Sequence, residues 1–519
     1  MGSADARGRG RPCHHATQAD NACGADRCGH CCFRHSQWSV PKSQHGPLWE
    51  FAPCEWIAEA PVAEPVSSLS VDAVFLNGQN DRVLRDRSQG NPIWFWPVLL
   101  GVVVFGVMVR VAFAISIWSR GLTADAHFFH VSAAFLASGK GYETLSGDPT
   151  ANHPPVFSLI LALFDLLGLH SIGEQRIAVS IATGAGVLLL GLVGREVAGP
   201  TVGLVGAGIA AVNPNWFQSS GILMSESVYL IVVPGILLVA LGCIKRPAVW
   251  RFGILGLLIA IAVLIRSEAI DFTVLLGVPV LLIATEGWRR RFQTGIALVV
   301  GLLLVLTPWL VRNEIQLGGA SLSTNGGVTL AGSYCPATLN PNNSDYGSFN
   351  TGCAVGEYIF LIKHTRPAGG AKAYTELTLN QAATSRAETF ALGHLNDMPG
   401  LIVARELSVW GFGNQDFQLS LATAEGRIPS YERAGRIVYW VLLPFVILGM
   451  AVLVRLSWKR FLVVAAPLVV VGLNSAIFYG STRMRTAAEP SLAILAAVGL
   501  VAAVSFVVGH RHQRSRAGA

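Results

Sequence analysis

Long apolar runs separated by short polar segments make up the chain from residue 93 onward. Runs such as PIWFWPVLLGVVVFGVMVRVAFAISIW and FQTGIALVVGLLLVLTPWLV are long enough to cross a hydrocarbon core about 30 Å thick as helices. The pattern predicts ten spanning helices, at approximately 93–118, 174–194, 199–217, 223–243, 250–267, 269–286, 292–312, 436–456, 459–479 and 488–508. A shorter run, PVFSLILALFDLLGLH, contains Asp165 and is predicted to be a juxtamembrane or re-entrant helix; as a span it would invert the topology of everything after it.

This pattern predicts an all-α fold, a polytopic transmembrane helical bundle of about 10–12 helices with a first extracytoplasmic loop of juxtamembrane helices and a small extracytoplasmic cap. It also divides the chain into segments. They are a cytoplasmic leader at 1–90, an N-terminal transmembrane module at 91–312 that includes a polar loop at 119–155, the cap at 313–435, C-terminal transmembrane helices at 436–510 and a basic cytoplasmic tail at 511–519.

The leader differs in composition from the rest of the chain. It is rich in Arg, His, Cys, Ser, Pro and Gly without sustained periodicity, which predicts disorder. Cys28-x-x-Cys31 is half of a zinc-binding pattern, but the other cysteines offer no clean second pair and no flanking strand or helix pattern. An unstructured or spuriously extended leader is therefore favoured over a zinc site. Because no charged-then-apolar signal peptide precedes the first span, that span is expected to serve as the insertion signal.

Composition supports a membrane protein. Of the 519 residues, 52% are hydrophobic and only 13% charged, whereas about a quarter are charged in soluble proteins. The formal net charge of +7 reflects Lys and Arg in short loops, which are held on the cytoplasmic side, so no nucleic-acid partner is predicted. The basic residues recur at every second boundary and predict that both termini are cytoplasmic: Arg82, Arg85, Arg87, Arg195, Lys245, Arg246, Arg251, the WRRR segment at 288–291, Arg455, Lys459, Arg460 and the RHQRSR tail.

Ionisable residues accumulate at the opposite, outer ends of the spans, although charge at membrane depth is costly and usually marks a site or a buried pair. They are Asp125, His127, His130, Arg176, Glu226, Arg266, Glu268, Arg312, Glu314, Arg483, Arg485 and Glu489. Clustered arginines suit the phosphate of an anionic lipid, because guanidinium donates bidentate charge-assisted hydrogen bonds. A single arginine more often snorkels or pairs with a carboxylate, so the cluster is the evidence. Arg110, inside the first span, is expected to pair with Glu226 or Glu268 or to bind a ligand.

The segment SRGLTADAHFFHVSAAFLASGKGY, residues 119–142, presents Asp125, His127 and His130 just after the first span. Three interpretations are open. Thr123 or Asp125 could cap an amphipathic helix that lies on the membrane. Asp125 and His127 could bind a divalent metal, although two ligands are a weak signal. Alternatively, Asp125 is a general base at the point where an acceptor hydroxyl meets an activated phospho-sugar.

Five groups of motifs follow one another at the predicted outer face. They are TADAHFFHVSAAFLASGKGY with NHPPVFSLILALF, GEQRIAVSIATGAGVLLLGLVGREVAG, NPNWFQSSGILMSESVYLIV, TPWLVRNEIQLGGASLSTNGGVTLAGSY and YGSTRMRTAAEPSLAILAAVGL. Together they resemble the polytopic glycosyltransferases of the C-type fold, in particular the bacterial branch akin to dolichyl-phosphate-mannose protein mannosyltransferases and the lipid A aminoarabinose transferase. The resemblance covers about residues 93–510. It implies transfer of one sugar from a polyprenyl-phosphate carrier to an acceptor on the outer side of the membrane.

The resemblance also implies residue roles. The essential Asp of the family's first outer loop matches Asp125, the expected catalytic base. Further matches are the Pro-Pro element at Pro154 and Pro155, the PW..RN element at Pro308, Trp309, Arg312 and Asn313, the ST.GG turn at Ser323, Thr324, Gly326 and Gly327, and the closing element at Arg483, Arg485 and Pro490. With the outer-face cluster, these matches give the candidates for substrate binding: His127, His153, Glu226, Arg266, Arg312, Asn313, Arg483 and Arg485.

In the implied mechanism, Asp125 deprotonates the acceptor hydroxyl as it attacks the anomeric carbon, and Arg483, Arg485 or Arg312 stabilises the leaving lipid phosphate. A single displacement inverts the anomeric configuration. No nucleotide is expected, since the chain has no Gly-rich phosphate loop. Two departures from the family pattern matter: His127 replaces the second acid of some members, which leaves a divalent metal as the open cofactor question, and PPVFS replaces PP.YP.

The cap is predicted to contain helices. ELTLNQAATSRAETFALGHLNDMPGLIVARELSVWGFG has helical periodicity with a turn around NDMPG, whereas PATLNPNNSDYGSFNTG reads as a loop. Cys335 and Cys353 face the oxidising compartment and are candidates for a disulfide that contributes about 3 kcal/mol, although spacing does not establish geometry. Cys243, at the cytoplasmic end of a span, is expected to be a packed thiol.

The main alternative is a polytopic transporter or flippase of a lipid-linked or anionic substrate. Such a protein more typically shows internal hydropathy repeats and ionisable groups near the membrane midplane. Here the two halves do not repeat and the polar residues lie at one face. The expected partners are a polyprenyl-phosphate-linked sugar, an envelope glycan, lipid or protein acceptor, and membrane lipids, with the active site on the outer face of the plasma membrane. The sequence does not determine the donor sugar or the acceptor. The Arg-over-Lys and Ala/Val/Gly bias is consistent with a high-GC bacterium, in which mannose or arabinose on decaprenyl phosphate are natural candidates.

Overall fold

Helices joined by loops form the whole of the described structure, a computed structural model that describes residues 92–364 and 375–517, with side chains to 509. No β-strand occurs within these ranges, so the predicted all-α class is confirmed. The predicted disordered leader, the Cys28–Cys31 pattern and the side chains of the basic tail lie outside the described residues.

Twenty α-helices follow one another in the described ranges. They are α1 (Phe95–Ser116), α2 (Ala124–Ala137), α3 (Val156–Leu166), α4 (Ile172–Ala182), α5 (Gly184–Ala198), α6 (Pro200–Val212), α7 (Pro214–Gly221), α8 (Glu226–Lys245), α9 (Val249–Val263), α10 (Val278–Ala284), α11 (Trp288–Leu317), α12 (Gly326–Ser333), α13 (Pro336–Leu339), α14 (Thr351–His364), α15 (Glu376–Gly393), α16 (Met398–Val409), α17 (Gln415–Ala424), α18 (Pro429–Leu456), α19 (Trp458–Ile477) and α20 (Glu489–Ala517). Short 3₁₀ turns at Ser267–Ile270, Leu395–Asp397 and Met484–Ala487 and a π turn at Thr273–Gly277 complete the order.

Eight helical segments in the described part of the chain are long and apolar enough to cross a membrane. They are α1, α4 with α5, α8, the turns Ser267–Gly277 with α10, α11, α18, α19 and the first part of α20. The other two predicted spans, 199–217 and 250–267, form shorter apolar helices. These are α6 and α9, with 13 and 15 residues, and at 1.5 Å per residue they are about 20 and 22 Å long.

Both short helices end for visible local reasons. Pro214 cannot continue α6 because it lacks an N–H, and the Asn213 side chain instead accepts a hydrogen bond from the Asn215 N–H at the start of α7. Beyond α9, the backbone of Arg266 is extended before the turn Ser267–Ile270 begins. The apolar pattern continues across both interruptions, which explains why the sequence predicted longer helices.

The uncertain segment after the first loop is the 11-residue helix α3, about 16 Å long and too short to span a bilayer. Its Asp165 is buried and accepts a hydrogen bond of 2.7 Å from Gln175 Nε2. Gln175 Oε1 in turn lies 2.8 Å from His130 Nδ1. A neutral amide thus joins the acid of α3 to α2 and α4, and the juxtamembrane or re-entrant interpretation fits this arrangement.

Several helix pairs, among them α9 with α11 and α18 with α20, approach so closely that a side chain would not fit between them. A Cβ atom added to Gly256 of α9 would lie 2.0 Å from Leu298 O of α11, and one added to Gly449 of α18 would lie 1.9 Å from Leu495 O of α20. Because small residues let backbones approach where no hydrophobic force drives helices together, these contacts fix the bundle.

Buried arginines also join helices, through backbone carbonyls. Arg110 donates to Ala210 O at 2.9 Å and to Ala211 O at 3.2 Å, so the expected pair with Glu226 or Glu268 is wrong. Arg176 donates to Ile117 O at 2.5 Å. The carbonyls lie at the C-terminal ends of α6 and α1, where helices leave carbonyl groups without internal partners. Both arginines therefore have a structural role, since each joins two helices.

In the described part of the predicted cap, 313–364 and 375–435, six helices lie between the end of α11 and the start of α18: α12 to α17. The segment predicted to be helical forms α15 and α16, with the break at Leu395–Asp397 beside the predicted turn. The segment predicted as loop contains the short helix α13. The structure joins Cys335 to Cys353 in a disulfide, whereas Cys243 is a buried free thiol.

Candidate active site

A cavity of about 410 Å³ lies between the first loop, the residues that follow α9, the start of the cap and the residues that follow α19. Four of the predicted site residues line it: Asp125, His153, Arg266 and Arg483. Each projects from a loop or a helix end rather than from the middle of a span, because the apolar helices place their polar termini at the same level of the bundle. Other lining residues include Phe129, Pro154, Glu268, Asp271, Asn325, Asn474 and Tyr479.

Asp125 occupies the first turn of α2. Thr123 precedes it at the N-cap position but makes no side-chain cap hydrogen bond, so the predicted capping role is wrong for both residues. The Asp125 carboxylate instead faces two cationic or polar groups: Arg483 Nη2 donates to Oδ2 at 2.8 Å, and His153 Nε2 lies 3.5 Å from Oδ1. Burial alone would raise the pKa of Asp125, but Arg483 and His153 outweigh it and hold that pKa well below its usual range.

Aromatic rings hold His153 next to Asp125. The ring centroids of Phe128 and Phe129 both lie 5.1 Å from that of His153, and the Tyr142 hydroxyl donates to the His153 carbonyl at 3.0 Å. The alternation of aromatic and small residues in α2 thus serves to position the imidazole, which the sequence alone did not indicate.

Arg483 is the centre of the charged network. Its Nε donates to Glu226, its Nη1 lies 3.2 Å from Glu425 Oε1 and its Nη2 contacts Asp125. Although burial lowers the pKa of a guanidinium, the three carboxylates hold the pKa of Arg483 above its usual value. Arg483 therefore stays charged, with one N–H on each nitrogen engaged by a carboxylate.

Arg266 forms the second cationic centre. It donates from Nη1 to Glu226 Oε1 at 2.9 Å and from Nε to Glu268 Oε1 at 2.5 Å. Glu226 is completely buried, and its position at the start of α8 lets one carboxylate bridge two arginines. The Glu226 and Glu268 charges raise the pKa of Arg266 against the effect of burial. The predicted cluster of Glu226, Arg266 and Arg483 is thus assembled around one buried acid.

The cap supplies a carboxylate that sequence reasoning missed. Glu425 follows α17, and burial raises its pKa although Arg483 and Arg427 oppose that effect. The next residue, Gly426, has a φ of +91°, and an added Cβ would lie 2.7 Å from Thr123 Oγ1 at the start of α2. The turn 425–427 therefore packs against the beginning of the helix that carries Asp125. In the sequence, the signal for this turn is the glycine that follows Glu425 in the segment AEGRIP.

Five of the predicted binding residues do not line this cavity: Glu226, which contacts Arg266 and Arg483, and His127, Arg312, Asn313 and Arg485. His127 is exposed. Arg312 donates to Tyr142 O and Thr150 O, both at 2.7 Å, and Asn313 Nδ2 donates to Ser321 O at 2.7 Å. Arg312 and Asn313 thus hold the first loop and the start of the cap against the end of α11. Arg312 also lines a second cavity of about 580 Å³ with apolar residues of α2, α3 and α11 and with Leu264, which follows α9.

Arg485 also points elsewhere. Its Nε donates to Glu489 Oε1 at 3.0 Å, one turn further along the chain, and its guanidinium carbon lies 3.9 Å from the ring centroid of Tyr439. Of the three arginines predicted to bind a leaving phosphate, only Arg483 lines the cavity with Asp125.

The predicted metal pair does not form a donor set. The Asp125 oxygens face Arg483 and His153, while the His127 side chain is exposed. Within residues 92–364 and 375–509, no group of three or more His, Cys, Asp or Glu side chains is arranged to hold a metal ion.

Comparisons with known proteins connect this geometry to a family. Residues 152–311 match the family model described as dolichyl-phosphate-mannose-protein mannosyltransferase. No curated protein matches the chain. Among solved structures, the chain is similar to the archaeal oligosaccharyltransferase AglB from Archaeoglobus fulgidus in complex with an inhibitory peptide and a dolichol-phosphate, with 12% identity and a TM-score of 0.46 over 82% of this chain and 52% of that one. The chain thus spans about half the length of that structure.

A second similar structure is ArnT from Cupriavidus metallidurans bound to undecaprenyl phosphate, with 16% identity and a TM-score of 0.34 over 76% of this chain and 77% of that one. The segment matched by the family model begins one residue before His153 and runs past Glu226 and Arg266, so it includes much of the wall of the Asp125 cavity. Over residues 152–311 the chain is thus similar to this mannosyltransferase family, in agreement with the resemblance to polytopic membrane glycosyltransferases of the C-type fold that its motifs predict.

Proposed function

We propose that this chain transfers a single sugar from a polyprenyl-phosphate carrier to a hydroxyl of an envelope glycan, lipid or protein on the extracytoplasmic face of the plasma membrane. The contact between Asp125 Oδ2 and Arg483 Nη2, at 2.8 Å in the wall of the cavity, carries the proposal. It brings together a carboxylate that accepts a proton and a guanidinium that binds a phosphate. The family description, which names dolichyl-phosphate-mannose, supports a lipid-phosphate donor.

In the proposed reaction, an Asp125 oxygen takes the proton of the acceptor hydroxyl. The hydroxyl oxygen forms a bond to the anomeric carbon as the bond between that carbon and the phosphate oxygen breaks. The lipid phosphate departs with the bonding electrons, and Arg483 donates hydrogen bonds to its growing negative charge. Because a single displacement occurs, the anomeric configuration inverts.

The shared guanidinium links donor binding to base strength. A phosphate that approaches Arg483 competes with Asp125 for the same N–H groups. Weaker contact with Arg483 raises the pKa of the Asp125 carboxylate and makes it a stronger base. The base is therefore proposed to gain strength when the donor is in place.

Two features support the proposed outer location of the site. Two basic boundary residues both contact the end of α5: Lys245 Nζ lies 3.0 Å from Glu196 Oε2, and Arg460 Nη1 donates to Val197 O at 2.9 Å. They follow or precede spans at the ends predicted to be cytoplasmic. The disulfide Cys335–Cys353 belongs to the cap, the segment that contributes Glu425 to the charged network, and disulfides persist in oxidising compartments.

The proposal is tested with the full chain in proteoliposomes. Radiolabelled decaprenyl-phosphate mannose and decaprenyl-phosphate arabinose serve as donors, and an envelope extract serves as the source of acceptors. We expect transfer of label by the wild type and a loss of about 100- to 10,000-fold in Asp125→Asn, since the amide cannot accept the proton. Asp148→Asn, at an exposed acid of the same loop, is the matched control.

Two outcomes contradict the proposal. Transfer by Asp125→Asn at the wild-type rate removes Asp125 from the base role. Movement of the intact donor lipid between leaflets without any transfer of sugar favours the transporter or flippase instead.

A further inference from the structure

The cavity contains a carboxylate that the proposed reaction does not use. Asp271 follows the turn Ser267–Ile270 and lines the cavity together with Asn474 of α19. Asn474 Nδ2 donates to Asp271 Oδ2 at 2.8 Å and to Val470 O at 2.9 Å, so both hydrogens of the amide are engaged. The pair therefore offers a ligand hydrogen-bond acceptors rather than donors.

The charge of Asp271 distinguishes it from the other acids of the cavity. Asp125 is paired with Arg483, and Glu268 is paired with Arg266. In the part of the chain that the structure describes, Asp271 makes no ion pair; its partner is the neutral amide of Asn474. Asp271 is only half-buried, whereas Asn474 is 3% exposed. A rigid, buried amide thus holds a carboxylate at the cavity wall with accepting capacity to spare.

We propose that Asp271, oriented by Asn474, binds hydroxyl groups of the donor's sugar ring and thereby selects the sugar. The inference rests on the proposed function, because it assigns the sugar-binding part of the same cavity. Adjacent hydroxyls of a sugar ring are O–H donors, and hydrogen bonds from a hydroxyl to a carboxylate are short and strong. The lipid phosphate is an anion and binds the Arg483 guanidinium, whereas the sugar ring binds the Asp271 carboxylate. The two charged groups thus bind different parts of the donor.

The same arrangement discriminates between sugars. When a ligand fills the cavity and displaces water, Asp271 needs a hydrogen-bond donor from that ligand. A sugar without the matching hydroxyl leaves the carboxylate desolvated and without a hydrogen-bond donor. This costs binding free energy, so such a sugar binds much more weakly. Asp271 is therefore a specificity-determining residue, and Asn474 is its positioning residue.

The experiment compares lipids with and without the sugar. For Asp271→Asn, we measure kcat and KM with decaprenyl-phosphate mannose and decaprenyl-phosphate arabinose, and we measure direct binding of sugarless decaprenyl phosphate to the same proteoliposomes. We expect KM for the donor to rise about 10- to 100-fold, while the affinity for sugarless decaprenyl phosphate stays at the wild-type value. Asp416→Asn, at an exposed acid on α17, is the matched control.

Deoxy donors give a second readout. The wild type should lose activity with the monodeoxy donor that lacks the bound hydroxyl, and Asp271→Asn should lose markedly less with the same compound. The inference is overturned if both proteins lose activity equally with every monodeoxy donor, or if Asp271→Asn weakens binding of sugarless decaprenyl phosphate as much as binding of the donor. Absence of transfer and of lipid binding in the wild type would instead contradict the proposed function itself.

Discussion

Arg483 Nη2 lies 2.8 Å from Asp125 Oδ2, although 358 positions of sequence separate the two residues. The same guanidinium contacts Glu226 at the start of α8 and Glu425 at the end of the cap. One side chain thus joins the first loop, a transmembrane helix, the cap and the last connection between spans. In the proposed reaction, this single residue would set both the strength of the base and the site of the phosphate.

The pH dependence of activity should reveal this pairing. Burial raises the pKa of Asp125, but Arg483 and His153 outweigh it, so the carboxylate stays ionised below its usual value of about 3.9. We therefore expect no loss of kcat/KM from Asp125 as the pH falls towards 4. In Arg483→Lys, whose ammonium lacks the fork of N–H groups, the acid limb should move to higher pH. An unchanged acid limb in that variant would show that Arg483 does not control Asp125.

Removal of the charge of Glu425 should strengthen donor binding. Glu425 Oε1 lies 3.2 Å from Arg483 Nη1 and competes with a phosphate for it. In Glu425→Gln, the amide keeps the shape and loses the charge, so we expect the KM for a decaprenyl-phosphate sugar to fall by about 3- to 10-fold. Glu388→Gln, on the exposed face of α15, serves as the control. A rise in KM would indicate that Glu425 orients Arg483 rather than competing for it.

Loss of the disulfide should destabilise the cap. The bond joins residues 18 positions apart, and closing a loop of that length contributes about 3 kcal/mol. In the double variant Cys335→Ser, Cys353→Ser we expect a lower apparent Tm in detergent. Reductant should lower the Tm of the wild type towards that of the variant and leave the variant unaffected; equal responses of both proteins would argue against the bond.

The close contact between α18 and α20 gives a stability prediction. In Gly449→Ala, the new Cβ would lie 1.9 Å from Leu495 O, so the helices must separate at a cost of about 1–3 kcal/mol. In Gly101→Ala, nothing lies within 4 Å of the added atom, and alanine favours the helix. Thermal unfolding in detergent should show a lower Tm for the first variant only. A similar Tm for both would mean that the two helices are not in contact in solution.

The sequence predicted the helical bundle and most residues of the charged network, but not Glu425 of the cap. Apolar periodicity indicates where each span ends, so the sequence placed Glu226, Arg266 and Arg483 at the same ends of the spans as Asp125. The direction of a long side chain is set by its nearest acceptors, which periodicity does not reveal. The sequence analysis treated Arg312, Arg483 and Arg485 alike. In the structure, however, Arg312 donates to backbone carbonyls and Arg485 donates to Glu489.

The sequence did not identify Asp271 and Glu425 as site residues, for two different reasons. Asp271 lies within the predicted span 269–286, where the apolar pattern concealed it; a carboxylate near the end of a span is costly, and that cost was the unused signal. Glu425 is one of several acids in a long cap, and only tertiary packing selects it. His153 was included through the Pro-Pro motif, but its contact with Asp125 depends on aromatic packing.

The turn 425–427 rests on the first residues of the helix that carries Asp125. The cap is therefore part of the surroundings of Asp125 and contributes one of the acids that share Arg483. If residues 313–435 were exchanged between related proteins, the exchange would change the charges near Asp125 as well as the surface of the cap. In such chimaeras, acceptor choice and the acidity of the base would change together, and during divergence the two properties would be inherited as a unit.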